Sequence, residues 1–522
     1  MANKHLFKTR TPLPNTDTVN GAGGVAYKRT PKQALAQFVA TGCLNDTFYA
    51  SAQSQLDEVA SFAQSVDGAF LAKAAIYGRQ RAHMKDLPAL LVALISVKAP
   101  EHLEVAFERV IDSPRMLRTF VQIMRSGAVG RRSLGSRPKR LIRRWLENRS
   151  DDALFRASVG NSPSIADIVK MVHPKPQTPS RQALYGHLIG RPVDADNLPE
   201  LVRQFEAWKQ DPTGAPPDVP FQMLTAFDLS TEQWADIARR APWQMTRMNL
   251  STFLRHGVFK LPGMTTMIAE RLRNQQLVER SRVLPYQLLM AYKAAGDNVP
   301  HQVREALQDA MEHSLRNVPR IDGKVFVFPD VSGSMHMSIT GYRPGATSAV
   351  RCVDVAGLVA AALLRTNPQA TVMPFESRVV SVRLEAHHTV MHNAQKLASL
   401  NAGGTNCSAP LRQLNERKAK GDLLIYVSDN ESWIDSRRYG RGPTAMLEQW
   451  TLFKRRNPKA RLVCIDLVPG STTQVKERPD IWNVGGFSDD VFHLLAQIGR
   501  GEASIDHWVR EIEKVELERA AA

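Results

Sequence analysis

The stretch Lys324–Met335, KVFVFPDVSGSM, decides the fold. Val325-Phe326-Val327-Phe328 is an apolar run of β-branched and aromatic residues, which predicts a buried strand. Asp330, Ser332 and Ser334 follow around Gly333. One carboxylate and two hydroxyls therefore converge within a single turn at the carboxyl end of a strand. These are hard oxygen donors, suited to Mg²⁺ or Mn²⁺ and poor for zinc. One anionic ligand with two neutral ones leaves a bound ion electrophilic, with room for a partner's ligand.

Two downstream segments complete a site. Gly403-Gly404-Thr405-Asn406 puts a threonine on a glycine loop, and the apolar run Leu423–Val427 ends in Ser428-Asp429. Open α/β sheets bind ligands at such strand ends. The set Asp330, Ser332, Ser334, Thr405 and Asp429 resembles the metal-ion-dependent adhesion site of von Willebrand factor A domains. The simpler reading of Asp330 and its serines is a helix-capping turn. A haloacid-dehalogenase phosphatase would want a second Asp where this chain has Ser332.

The chain has 522 residues, enough for two or three domains. It is 43% hydrophobic and 23% charged, in the range of soluble globular proteins. No apolar run reaches the roughly 18 residues of a membrane span. The opening MANKHLFKTRTPLPN lacks the apolar core of a signal peptide. Cys43, Cys352, Cys407 and Cys464 show no CxxC spacing, which predicts reduced core thiols in a cytoplasmic protein.

The net charge is +17, and all but a small part falls before Ile321. The part without the metal motif is thus a polyanion-binding candidate, nucleic acid first. From Thr30 the pattern is helical for nearly three hundred residues, in short amphipathic segments separated by Pro, Gly or Asp. Element lengths suggest a helical-repeat array. Within it, RRSLGSRPKRLIRRW puts Lys139, Arg140, Arg143 and Arg144 on one helix face, with Arg131, Arg132 and Arg137 just before. Leu141, Ile142 and Trp145 take the opposite face. Lys170, His173 and Lys175 form a second basic group in a Pro-rich loop, beside Arg181. Arg247, Asn249, Arg255 and His256 form a third, and Arg282 and Tyr286 sit in SRVLPYQLL. Asp194–Pro220 reads as an irregular excursion.

The sequence predicts a flexible arm over 1–22, a helical domain over 23–320 and an α/β domain over 321–522. In the last, strands are expected at 371–375 and 379–384, and helices at 353–365, 390–400, 409–418, 444–456 and 489–499. No Walker A run, GxGxxG after a strand, HExxH or GxSxG occurs. The metal motif lacks a dedicated base, so no enzyme is expected.

The paired segments resemble the Ro60 or TROVE-domain family. The likeness rests on NGAGGVAYKRTPKQALAQFVATGCLNDTFYAS, QMTRMNLSTFLRHGVF and SRVLPYQLLMAY in the first half. In the second it rests on DVSGSM, AGGTNCSAPL and VSDNESW. The resemblance implies an α plus α/β architecture: a ring of HEAT-like repeats closed by a doubly wound von Willebrand A domain. It implies a ribonucleoprotein binding small noncoding Y-like RNAs and single-stranded 3′ ends of misfolded RNAs, in quality control or degradation. An exoribonuclease is an implied partner. It also implies basic groups after Ser164, where this chain has Ile165 and Ala166. The competing reading is a metal-dependent protein-interaction scaffold, with a partner's carboxylate on the ion.

Overall fold

The computed structural model describes residues 13–518, apart from 42–43, 282, 284, 316–317, 343–349, 402, 435, 437–439, 469, 487–488 and 504–505. Cys43, Arg282 and the Tyr286 side chain lie outside the described set. Two compact units emerge. One comprises Met1–Phe62, Leu284–Met290 and Met311–Glu511; the other comprises Ala63–Val283, Ala291–Ala310 and Ile512–Ala522.

In the first unit, β3 (Val325–Pro329), β4 (Thr371–Val372), β5 (Leu423–Ser428), β6 (Arg461–Asp466) and β8 (Ile481–Gly485) form a parallel sheet. Their order is β4-β3-β5-β6-β8. β3, β5 and β8 are buried along their whole length, as a strand covered on both faces must be. On one face Phe328 and Phe375 pack on Tyr426, with ring centroids 4.7 and 5.6 Å apart. Trp450 and Phe453 join the same core. The Cys352–Thr366 helix is buried nearly throughout. A Cβ on its Gly357 would meet the Ala394 carbonyl at 2.8 Å, which lets the Val390–Ala398 helix pack closely.

Three expectations change here. Residues 379–384 form no strand: Val379 makes one bridge to Phe375, and beyond it alternation finds no partner backbone to pair with. β8 was not expected, because Asn483 and Gly485 break its apolar run. Inside the fold Asn483 is satisfied by Val475 and Thr473, and Gly485 admits Gln37. Residues 13–22 are not an arm. β1 (Thr18–Val19) and β2 (Val25–Lys28) make an antiparallel pair, and β2 pairs with β7 (Thr472–Thr473). Tyr27 is fully buried in the core beside Phe328, and Leu13 packs against it. The first 12 residues lie outside the described set. The Pro31–Thr41 helix starts at Thr30 as expected, with Thr30 and Gln33 exchanging a reciprocal cap.

The second unit is helical. Its breaks are N-caps: Asp67, Ser113, Ser150, Ser164, Thr178 and Ser230 each accept a backbone amide of the helix that follows. Asp86–Lys98, expected to be amphipathic, is buried from Leu87 to Ser96. It packs between Gly68–Gln80 and Pro114–Ser126, so it has no solvent face to mark with charge. Asp194–Pro220 is not irregular throughout. Glu200–Gln210 is a helix that buries Leu201, Val202, Phe205 and Trp208, a helical spacing that the flanking prolines obscured.

Candidate metal centre and nucleic-acid interface

Asp330 sits where β3 ends, held by its own amide on the Val427 carbonyl (3.0 Å). Its carboxylate accepts the Ser332 amide (2.8 Å) and the Ser428 hydroxyl (2.6 Å), and it is fully buried. Ser332 and Ser334 place their hydroxyls 3.4 Å apart. The turn is tied to the glycine loop by Gly333 N–H donating to the Gly403 carbonyl (2.8 Å). A Cβ on Gly403 would lie 1.8 Å from Glu376 Oε2, so a side chain there would have to displace Glu376. The Thr405 carbonyl takes the amides of Trp433 and Ile434, which fixes the loop against the segment after β5. Asp429 accepts the Glu431 amide (3.2 Å), while its Oδ2 is buried with no partner. The five expected ligand residues are all buried around these loops.

Burial, then the neighbouring Asp429, pushes Asp330 up to about 7. Asp429 is likewise raised by burial. Two buried carboxylates, three hydroxyls and one orphaned oxygen fit a hard divalent cation. Among the described residues no group of three or more His, Cys, Asp or Glu side chains could hold a metal, so hydroxyl oxygens must supply the rest of this set.

Other groups at the centre were not expected from sequence. Ser428 clamps Asp330. Glu431, pushed up to about 8 by burial and then by Asp429, accepts the Ala22 amide (3.2 Å). Asp466, at the end of β6, pairs with buried Arg29 at 2.9 Å. Tyr49 lies near these carboxylates, and burial, then Asp429, raises its phenol. The signal for these was the glycine-rich run NGAGG at residues 20–24, which lets backbone approach the centre. Asn20 donates to the Ser432 carbonyl (2.9 Å).

The basic candidates divide. Arg144 pairs with Glu104 and Glu108, and Arg143 caps the Val172 carbonyl. Arg131 donates to Ser96 and Arg137 to the Pro100 carbonyl. These four hold the helical unit together. Arg132, Lys139 and Arg140 make no such bond with another described residue, and Arg132 and Arg140 are exposed. Lys170, His173 and Lys175 are exposed at the end of the Ile165–Val172 helix. Lys170 and His173 line a cavity of about 710 Å³ with Pro174, Pro176, Tyr185 and Arg191; Lys175 does not line it. Arg181 pairs with Asp151. Arg247 bonds to Gln244 (3.0 Å) and Asn249 to the Met245 carbonyl (2.8 Å). His256 stacks on Trp234 at 4.2 Å, and Arg255 is exposed. In the third group, therefore, Arg255 alone is a solvent-facing cation.

Residues 324–498 match the family model described as the Ro60 vWA domain. The matched stretch lies within the α/β domain. RNA-binding protein RO60 of Deinococcus radiodurans is 25% identical, over 96% of this chain and 100% of its own length. RNA-binding protein RO60 of Caenorhabditis elegans is 24% identical over 32% of this chain and 26% of its own. The crystal structure of the D. radiodurans RO (RSR) protein superposes with a TM-score of 0.62. It covers 91% of this chain and 100% of that one at 21% identity, a likeness of fold. The resemblance to the Ro60 family and the α plus α/β fold class both stand, and the matched residues include Asp330, Ser332, Ser334, Thr405 and Asp429.

Proposed function

We propose that this chain is an RNA-binding protein of the Ro60 kind, acting as a ribonucleoprotein. Its ligands are small noncoding Y-like RNA and single-stranded 3′ ends of misfolded RNA. Its work is RNA quality control or degradation in the cytoplasm, alongside an exoribonuclease. The observation that carries this reading is the cavity beside Lys170 and His173. Cations there stand next to proline and tyrosine walls, which suits phosphates flanked by unstacked bases. The basic helix ends against it, since Arg143 bonds to Val172, the residue before His173. The relatives' printed names support the same ligand class.

The reading is non-enzymatic. The buried oxygens facing the ion are its ligands, and Glu431 is engaged by the Ala22 amide, so no base stands ready. When bound, Mg²⁺ or Mn²⁺ would be held by Asp330, Ser332, Ser334, Thr405 and Asp429. It would supply an electrophilic position for an oxygen ligand. A second reading, a carboxylate from a partner protein at that ion, is favoured by the exposed rings of Phe48, Tyr342 and Trp433, 61%, 70% and 48% accessible. Among the described residues no helix is long and apolar enough to cross a membrane.

Sequencing the RNA that co-purifies with the full chain tests the proposal. Enrichment of small structured RNAs and frayed 3′ ends is expected. Nucleic-acid-free protein that captures acidic proteins only in the presence of Mn²⁺ would favour the second reading.

A further inference from the structure

The run EKVELE, residues 513–518, carries three glutamates against one lysine, yet it lies on helices from the strongly basic part of the chain. Lys73, on the Gly68–Gln80 helix, donates to the Glu513 carbonyl (2.6 Å). Arg109, on the Leu103–Val110 helix, donates to the Glu516 carbonyl (2.5 Å) and to Gln80 Oε1 (2.9 Å). Val515 and Leu517 are half-buried, whereas Glu516 and Glu518 are exposed. That alternation belongs to an extended segment with one side seated on protein. The two helices pack on each other, so one strap crosses both. Its grips are main-chain carbonyls, and a neutral carbonyl leaves the charges of Lys73 and Arg109 unbalanced. An RNA phosphate is ionised, so it makes the stronger bond to the same cations. The basic helix is adjacent: its Arg144 pairs with Glu104 and Glu108 of the helix that carries Arg109.

We infer that Lys73 and Arg109 are phosphate contacts of the RNA surface, and that residues 513–518 are an acidic strap that covers them until RNA displaces it. This rests on the RNA-binding reading above. While the strap is seated, its backbone occupies both cations, and Glu516 and Glu518 present carboxylates to an approaching phosphate. Strand binding must therefore overcome that repulsion and lift the strap. The repulsion acts between exposed charges, so it fades as salt rises. Displacement is reciprocal: what the strap subtracts from RNA affinity, bound RNA subtracts from seating of the strap.

The test uses the full chain, wild type and the double variant Glu516→Gln with Glu518→Gln, and single-stranded oligouridine as the probe. Anisotropy titrations at several salt concentrations read affinity. Limited trypsin digestion with intact mass reads cleavage after Lys514. At low salt the double variant should bind oligouridine about threefold more tightly than wild type, the scale of exposed charge pairs. That advantage should vanish at high salt. In the wild type, saturating oligouridine should speed cleavage after Lys514, because the lifted strap reaches the protease. No binding of oligouridine by the wild type would overturn the RNA reading and this inference together. Normal binding with equal affinities for wild type and variant at every salt concentration would overturn the inference alone. So would cleavage after Lys514 that is indifferent to oligouridine, a comparison that needs only the wild type.

Discussion

Gly24 lies so close to Ser432 that a Cβ on it would sit 2.1 Å from the Ser432 carbonyl oxygen. No side chain bends out of such a contact, because the obstacle is backbone. Gly24→Ala should therefore destabilise the chain by about 1–3 kcal/mol. Neighbouring Gly23 has φ +79° and open space around it. Its alanine variant should cost only the left-handed strain of about 1–2 kcal/mol. Thermal unfolding of both variants checks the order, Gly24→Ala being the worse.

Asp330→Ala should abolish binding of Mg²⁺ and Mn²⁺ with the fold retained. The sheet beneath is packed by Phe328, Phe375 and Tyr426, which need no ion. In EDTA the variant should unfold within about 1 kcal/mol of wild type, since a buried charge near another of like sign contributes little stability. Calorimetry for the ion and circular dichroism for the fold read both outcomes. Unchanged metal affinity would sink the ligand assignment.

Changing Arg132, Lys139 and Arg140 together to Gln should weaken binding to single-stranded RNA. It should also flatten the plot of log affinity against log salt, by about 0.7 for each phosphate no longer neutralised. Arg144→Gln should behave differently. It breaks the pairs with Glu104 and Glu108, both partly exposed, and should cost about 0.5–1 kcal/mol of stability. Anisotropy titrations at several salt concentrations separate the two effects. Equal slopes for the triple variant and wild type would remove this helix from the RNA surface.

Glu477 gives a pH prediction. Burial pushes it up to about 7, with its carboxylate taking the Asp506 amide (3.0 Å) and Asp506 itself nearby. A carboxyl raised on folding favours the folded state most below its unfolded value near 4.5. That contribution is lost as pH rises toward 7. Glu477→Gln should therefore gain stability relative to wild type between pH 5 and pH 8, on the order of 1–2 kcal/mol. Unfolding midpoints of both proteins across that range provide the check; parallel curves would refute it.

Much of the centre was legible because its ligands follow apolar strand runs in chain order. Asp330 and Asp429 each end a run that could only be a buried strand. Tyr49, Glu431 and Arg29 were not legible, because nothing local marks them. Arg29 meets its partner Asp466 only 437 residues later in the chain. The basic helix shows the opposite failure. Its sequence gives seven cations on and before one face, but Glu104 and Glu108, which neutralise Arg144, come from another helix. β8 escaped notice for a related reason: Asn483 looks like a strand breaker until Thr473 and Val475 are brought beside it.

The pairing of β2 with β7 has a consequence for biosynthesis. Arg29 leaves the ribosome early and meets Asp466 only after 437 further residues. At about 5–20 residues per second, that wait is on the order of a minute. Throughout it, Tyr27 and Arg29 have no core and no counter-ion to receive them. A nascent chain stalled before β6 therefore leaves its own beginning unfolded, open to chaperones and proteases at the end synthesised first.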